Sequence, residues 1–155
     1  MSGKVDPDRP VVAVNKKARH EYVVLETIEC GIELSGSEVK SIRGRNSSIQ
    51  EAYGKILDGE AWLFSMTIGP YENARENPDP IRRRKLLLKK REIEKIFSEV
   101  RIKGRTWIPL KLYFRGPWLK VEMAVCVGKR QYDKREAMKA QDARREIARE
   151  AARRR

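Results

Sequence analysis

Apolar and polar residues alternate along the second half of the chain in a way that predicts a long β-hairpin. Apolar side chains occupy every second position, at Ile108, Leu110, Leu112, Phe114, Leu119, Val121, Met123, Val125 and Val127. A two-residue period is typical of a strand with one buried face, and Gly116-Pro117 supplies a turn between the two runs. We therefore expect the aliphatic face to be core and the opposite face, which mixes aromatic residues with lysines, to be half-exposed.

Further strands are predicted earlier in the chain. Asp58-Gly59 lies between two apolar runs, and its readiness to adopt positive φ predicts a two-residue turn in a hairpin over residues 55–64. Residues 22–28 and 32–34 are rich in β-branched and aromatic side chains, with Gly31 as a bend between two strands. With about six short strands available, the pattern favours a mainly β fold and a small barrel.

Two helices are predicted beside these strands. Ser35 and Glu38 have the spacing of a capping box, which indicates a short helix ending near residue 43. A stripe of apolar residues at helical spacing predicts a second helix that ends before residue 104 and consists of Ile93, Ile96, Phe97 and Val100. The second helix is expected to plug a closed or nearly closed barrel.

The two ends of the chain have compositions that differ from the middle. Residues 1–14 have no apolar period and contain two prolines, so we expect a disordered arm. Residues 129–155 carry 11 Lys and Arg against 5 acidic residues. Their composition favours a helix, but the apolar stripe is too thin to bury much area. We predict a basic, conditionally helical C-terminal tail that is disordered until it binds a partner.

The net charge of the chain gives information about its binding partner. The chain has 35 Lys and Arg, 22 Asp and Glu, and a formal net charge of +13, which indicates a polyanionic partner. Charge alone leaves RNA, DNA and anionic lipid open. No apolar run reaches the roughly 20 residues of a membrane span, so we expect no membrane insertion and a cytoplasmic protein. Cys30 and Cys126 are interpreted as small apolar core residues.

The sequence gives little support to an enzyme. His20 is the single histidine, so two-histidine zinc motifs are impossible, and no glycine-rich phosphate loop precedes a helix. We predict a protein that is not an enzyme and needs no metal and no cofactor. The rival from another class is an RNA-processing enzyme, for which Glu29, Glu38 and Asp133 are the carboxylates to test.

The densest basic segment is residues 82–91, in which seven of ten residues are cationic and three leucines are consecutive. A solvated helix start and a nuclear localisation signal are the alternatives that such a run leaves open. We favour RNA contact, because three adjacent leucines exceed what one helical face can bury. Trp118 and Tyr132 lie beside basic residues and are of a type that stacks on bases, although rim packing fits Trp118 equally well.

Four ordered segments resemble the SsrA-binding protein family, also called small protein B. The segments are NKKARHEY at 15–22, GSEVKSIR at 36–43, DPIRRRKLLL at 79–88 and GKRQYDKR at 128–135. The resemblance implies an OB-like barrel over residues 15–128, with flanking helices, that binds the tRNA-like domain of transfer-messenger RNA. It also implies delivery of that RNA to stalled ribosomes, where the tail over residues 129–155 probes the empty messenger channel and the decoding centre. Direct contact with elongation factor Tu is left open.

The resemblance also assigns site residues by motif. The expected contacts to the tRNA-like domain are Asn15, Arg19, His20, Tyr22, Glu29, Arg84, Lys85, Leu87 and Lys120. The expected ribosome-binding residues of the tail are Gly128, Lys129, Arg130, Tyr132, Asp133, Lys134 and Arg135. Glu29 could accept hydrogen bonds from base amino groups, or it could be a solvated strand residue. A generic single-strand-binding or ribosome-associated barrel with a basic tail is the main alternative.

Overall fold

The computed structural model describes residues 10–154 and shows a curled antiparallel sheet with helices on its outside. Its elements are β1 Val11–Val14, α1 Lys16–Glu21, β2 Tyr22–Ile32, α2 Gly36–Arg43, β3 Ser47–Ser48, β4 Tyr53–Leu57, β5 Glu60–Phe64, β6 Thr67–Ile68, β7 Arg84–Leu87, α3 Lys90–Val100, β8 Arg105–Arg115, β9 Trp118–Gly128 and α4 Lys129–Arg153. Seven strands form one sheet in the order β1-β8-β9-β2-β7-β5-β4, and β3 pairs with β6. The mainly β fold with flanking helices is confirmed.

The β8–β9 hairpin is confirmed, but the strict alternation predicted for β8 is wrong. A bulge between Pro109 and Lys111 shifts the register of β8 against β9. One extra residue moves every later side chain to the opposite face. Trp107 therefore faces the main core together with Leu112, whereas Ile108 packs in a smaller cluster beside Ala18 of α1.

The sheet curls so that β4, at one edge, contacts β8, the second strand from the other edge. A Cβ on Gly54 of β4 would lie 2.3 Å from the Trp107 ring, so glycine is what allows this close approach. The hairpin turn predicted at Asp58-Gly59 is confirmed, with φ of 51° and 76°. The core inside the curl includes Leu63, Leu86 and Val121.

Strand β2 differs from its prediction. It is one continuous strand of 11 residues instead of two strands separated at Gly31. Its irregularity lies between Val24 and Glu26, and Gly31 pairs regularly with both neighbouring strands. The turn-forming tendency of a lone glycine is overridden here because strands on both sides complete its backbone hydrogen bonds.

Residues 11–14 are more ordered than predicted. Residues 11–14 form β1, which pairs with β8, so the expectation of a disordered arm is wrong for these four residues. The apolar Val12 and Ala13 pack against the core. Residues 1–9 of the predicted arm lie outside the described residues.

Both predicted helices are confirmed. Helix α2 begins with the capping box of Ser35 and Glu38, and α3 places Ile96 in the main core. Cys30 and Cys126 are buried and unpaired with one another, as expected of apolar core residues. Burial raises the pKa of Cys30 to about 12 and that of Cys126 to about 11.

The tail is a single helix in this structure, whereas the sequence indicated disorder in the absence of a partner. Helix α4 buries none of its residues. Its first turns contact the body where the Gln131 side chain lies against Gly104 and Arg135 Nη2 donates a hydrogen bond of 2.9 Å to the Lys103 carbonyl. The state of the tail before binding stays a prediction.

Candidate RNA interface

A row of side chains crosses four adjacent strands on the outer face of the sheet. The cross-strand partners in this row are Tyr113 of β8, Lys120 of β9, Gly31 of β2 and Leu87 of β7. Neighbouring side chains on β7 point to opposite faces of the sheet: Leu86 is 1% exposed in the core, and Leu87 is 50% exposed. A Cβ on Gly31 would lie 3.1 Å from the Leu87 Cβ, so glycine gives Leu87 room at this point. We call this row the strand row.

Glu29 lies two residues before Gly31 on the same face of β2, and both of its carboxylate oxygens are occupied. The Tyr113 hydroxyl donates to Oε2, and Arg115 Nη1 donates to Oε1 at 3.1 Å. The hydrogen bond from Tyr113 is the largest cause that lowers the pKa of Glu29, and Arg115 adds to it. The carboxylate is therefore ionised at neutral pH and engaged within the protein.

Arg115 is a candidate contact that the sequence reasoning missed. Its side chain is 56% exposed, so its remaining donors face solvent beside the strand row. Trp118, its cross-strand partner, is 69% exposed and precedes Lys120 by two residues on the same face. The hairpin register was the signal that could have found Arg115, since the turn at Gly116-Pro117 fixes which residues pair.

Arg84 requires a correction to the predicted site. It is fully buried, and its Nε and Nη2 donate to Glu38 Oε2 at 3.0 and 2.8 Å. It also donates to the Met66 and Pro80 carbonyls. These bonds use the guanidinium inside the protein, so a direct RNA contact by Arg84 is wrong for this structure. A run of basic residues looked like surface because its buried acidic partner lies 46 residues away.

Glu38 holds this buried arrangement together from α2. It is 3% exposed and accepts from Arg82 as well as from Arg84. Burial alone would raise the pKa of Glu38, but hydrogen bonds from Arg82, the Ser35 backbone and Arg84 lower it. Glu38 is therefore a structural residue, because its carboxylate is buried and hydrogen-bonded to two arginines.

Asn15 is also an internal residue. It is 2% exposed, its Oδ1 accepts from the Ala18 amide at 3.1 Å, and its Nδ2 donates to the Pro109 carbonyl at 2.9 Å. It thus caps α1 and ties that helix to β8. The predicted direct RNA contact of the Asn15 side chain is corrected to a supporting role.

Arg19, His20 and Tyr22 lie at the opposite end of β2 from the strand row. Arg19 and His20 are exposed and Tyr22 is half-buried. Tyr22 pairs with Gly128, so this end adjoins the start of α4, and His20, Tyr22, Lys129 and Arg130 line one cleft. Nine residues of strand separate Tyr22 from Gly31, which is roughly 30 Å. The predicted contacts to the tRNA-like domain therefore lie at both ends of β2, and their role in RNA binding stays a prediction.

The predicted tail residues form the base of α4. Lys129, Arg130, Asp133 and Lys134 are exposed, whereas Gly128 and Tyr132 are half-buried. Arg135 is exposed and uses one nitrogen on the Lys103 carbonyl. The base of the tail helix is therefore held at a fixed position, while the helix beyond it contacts nothing that would bury it.

Among residues 10–154, no cluster of three or more His, Cys, Asp or Glu could hold a metal ion. Within the same part of the chain, no helix is long and apolar enough to cross a bilayer. A curled sheet with a basic outer face, next to an exposed basic helix, defines a small β-barrel protein of the nucleic-acid-binding class.

Comparison with known proteins gives the family. A family model described as SmpB protein matches residues 12–153. The SsrA-binding protein of Macrococcus caseolyticus is 47% identical over 140 residues, covering 90% of this chain and 92% of that protein. That of Carboxydothermus hydrogenoformans is 49% identical over 138 residues, covering 88% and 93%. This chain belongs to the SmpB family.

A solved structure is similar as well. A chain from the structure described as "tmRNA-SmpB: a journey to the center of the bacterial ribosome" superposes with a TM-score of 0.66 and is 43% identical. The match covers 77% of this chain and 85% of that chain. The resemblance inferred from four short segments is therefore confirmed at the level of family and fold.

Proposed function

We propose that this protein is an RNA-binding factor of trans-translation. It binds the tRNA-like domain of transfer-messenger RNA and delivers it to stalled ribosomes, with the tail in the messenger channel and near the decoding centre. The observation that carries the proposal is the strand row, with its exposed Leu87 and half-buried Lys120, beside the exposed Arg115, found in a chain whose relatives are named SsrA-binding proteins. The chain works by binding and placement in the cytoplasm and catalyses no covalent step.

The strand row and Arg115 supply two kinds of contact to RNA. Lys120 and Arg115 provide cations for phosphates, and such contacts dominate affinity. Leu87 offers an apolar surface to a ribose or base. Glu29 acts through Arg115, because its carboxylate is already engaged and can orient the guanidinium towards the RNA. Lys85, whose side chain is 37% exposed, extends the basic surface along β7.

The other end of β2 serves the ribosome in this proposal. Arg19, His20 and Tyr22 adjoin the base of α4, so they support the tail where it leaves the barrel. The tail is basic and exposed along its length, which suits a channel lined by RNA. Direct contact with elongation factor Tu stays a prediction of the resemblance alone.

Two variants test this division of labour. Lys120→Gln should weaken binding of the tRNA-like domain several-fold and lower the salt slope of binding by about one, because one phosphate contact is lost. Tyr132→Ala with Lys134→Ala should leave that binding within two-fold of wild type yet abolish tagging on stalled ribosomes. Lys139→Gln, an exposed lysine further along α4, is the control for charge in the binding assay. Equal loss of RNA binding in both tested variants would contradict the division.

A further inference from the structure

The outer face of β4, β5 and β7 carries aromatic and basic side chains in register. Lys55 pairs with Trp62, and Trp62 pairs with Lys85. Two residues away, Tyr53 and Phe64 stack with ring centroids 5.6 Å apart and planes at 12°. All three aromatic rings are half-buried. This face continues the strand row, because Lys85 and Leu87 lie on the same side of β7.

Arg83 lies over one aromatic ring of this face. Its guanidinium carbon lies 4.1 Å from the centroid of the Trp62 ring, and the Arg83 side chain is exposed. The next residue, Arg84, points inward to Glu38. The two arginines at the start of β7 therefore differ in position: Arg84, its first residue, is buried, whereas Arg83, just before it, is exposed. A guanidinium plane is itself a surface on which nucleobases stack.

A cleft opens beside this arginine–tryptophan pair. It has a volume of about 580 Å³ and is lined by Glu33, Leu34, Ser35, Trp62, Arg82 and Lys85. Arg82 is partly engaged with the buried Glu38. Lys85 forms an exposed ion pair with Glu60, at 3.2 Å. Exposed pairs of this kind are weak, so a phosphate can replace Glu60 on Lys85.

We propose that this cleft binds an unpaired nucleotide of an RNA. The base stacks on the Arg83–Trp62 pair, and the phosphate pairs with Lys85. A single-stranded nucleotide fits better than a paired one, because stacking needs a free base face. The inference rests on the proposed RNA-binding function and names a part of the RNA that this function would use.

The decisive variant is Arg83→Lys, which keeps the charge and removes the plane. Binding is measured by anisotropy of a labelled single-stranded RNA hexamer and of the same strand in a duplex. We expect Arg83→Lys to weaken binding of the single strand by about ten-fold, with an unchanged salt slope, and to leave duplex binding within two-fold. Trp62→Leu should act in the same direction, since stacking contributes about five- to a hundred-fold per base. Trp62→Phe should retain most of the affinity.

Arg101→Lys is the matched control. Arg101, the residue just after α3, lies 5.3 Å from the centroid of the Phe97 ring. It forms an arginine–aromatic pair outside the proposed cleft, so its variant should bind both RNAs as wild type does. If both Arg83→Lys and Trp62→Leu bind the single strand within two-fold of wild type, the proposed nucleotide site is wrong. Arg83 would then only shield the Trp62 ring from solvent. Should Trp62→Leu fail to fold, the exposed Arg83 variant decides.

Failure of the broader proposal has a different signature. In that case the wild-type protein would bind the tRNA-like domain of transfer-messenger RNA no better than an unrelated hairpin. The effect of Arg83→Lys on hexamer binding is measured independently of that comparison. If the hexamer effect is absent, the cleft proposal fails. If the hexamer effect is present but the wild type does not prefer the tRNA-like domain, the cleft exists and the protein serves another RNA.

Discussion

At the scale of single residues, the sequence motif and the structure indicate different roles for Glu29. The motif places Glu29 among the RNA contacts, whereas in the structure both of its carboxylate oxygens accept hydrogen bonds, from Tyr113 and Arg115. Glu29 would then contribute to RNA binding by orienting the Arg115 guanidinium. Burial also changes the roles of Asn15 and Arg84, since neither side chain has surface to offer a partner.

A double-mutant cycle tests the role of Glu29. Glu29→Gln should weaken binding of the tRNA-like domain by about 1 kcal/mol, because Arg115 loses a charge-assisted hydrogen bond that holds its orientation. Arg115→Gln should cost more and lower the salt slope by about one. The double variant should bind like Arg115→Gln alone. Additive losses would show that Glu29 contacts the RNA independently of Arg115.

At the scale of elements, the predictions that succeeded rest on local chemistry. Both hairpins follow from turn residues between alternating runs, and α2 follows from its capping box. The bulge in β8 and the burial of Arg84 depend on partners far along the chain, such as Glu38. The pattern of apolar residues within one segment carries no information about partners that are distant in sequence. For the same reason the sequence could not divide the motif residues between the two ends of β2.

The buried pair of Glu38 and Arg84 connects α2 to β7 and to the loop carbonyls of Met66 and Pro80. Glu38→Ala should lower the free energy of unfolding by about 3 to 5 kcal/mol, because Arg84 is left as an unpaired buried charge. Urea denaturation measures this. A loss below about 1 kcal/mol would contradict the structural role. Lys17→Ala, which removes the exposed Lys17–Glu51 pair, is the control and should change stability little.

The same carboxylates predict an acid limit to stability. The pKa values of Glu29 and Glu38 are lowered in the folded protein. Their stabilisation is therefore fully present above the unfolded value of about 4.3 and is lost as pH falls through the folded pKa. Melting curves between pH 3 and pH 7 should show Tm falling below about pH 4.3, less steeply in Glu29→Gln. An equally steep fall in that variant would contradict the assignment.

The tail helix gives a further prediction at this scale. Its base contacts the barrel, and none of its residues is buried, so we expect residues 136–153 to be partly helical in the free protein. Circular dichroism of the full chain, compared with a chain ending after Arg135, measures this helix. A full helical contribution from these residues without RNA would contradict the expectation of a tail that folds on binding.

At the scale of the whole molecule, the barrel holds two basic surfaces at opposite ends of one strand. The strand row and Arg115 lie at one end of β2, and the base of α4 lies at the other, roughly 30 Å away. One molecule can therefore hold an RNA on the sheet while its tail reaches a second RNA surface. A net charge of +13 attracts any polyanion, so shape and specific contacts must supply the preference for one RNA.

The most direct test of this account is a binding titration of the wild-type protein at physiological salt. The ligands are the tRNA-like domain of transfer-messenger RNA, an ordinary tRNA and an unrelated hairpin of equal charge. Nonspecific phosphate contacts weaken as salt rises, so the account predicts strong preference for the tRNA-like domain under these conditions. Equal and equally salt-sensitive binding of all three RNAs would contradict it and would reduce the protein to a general basic RNA binder.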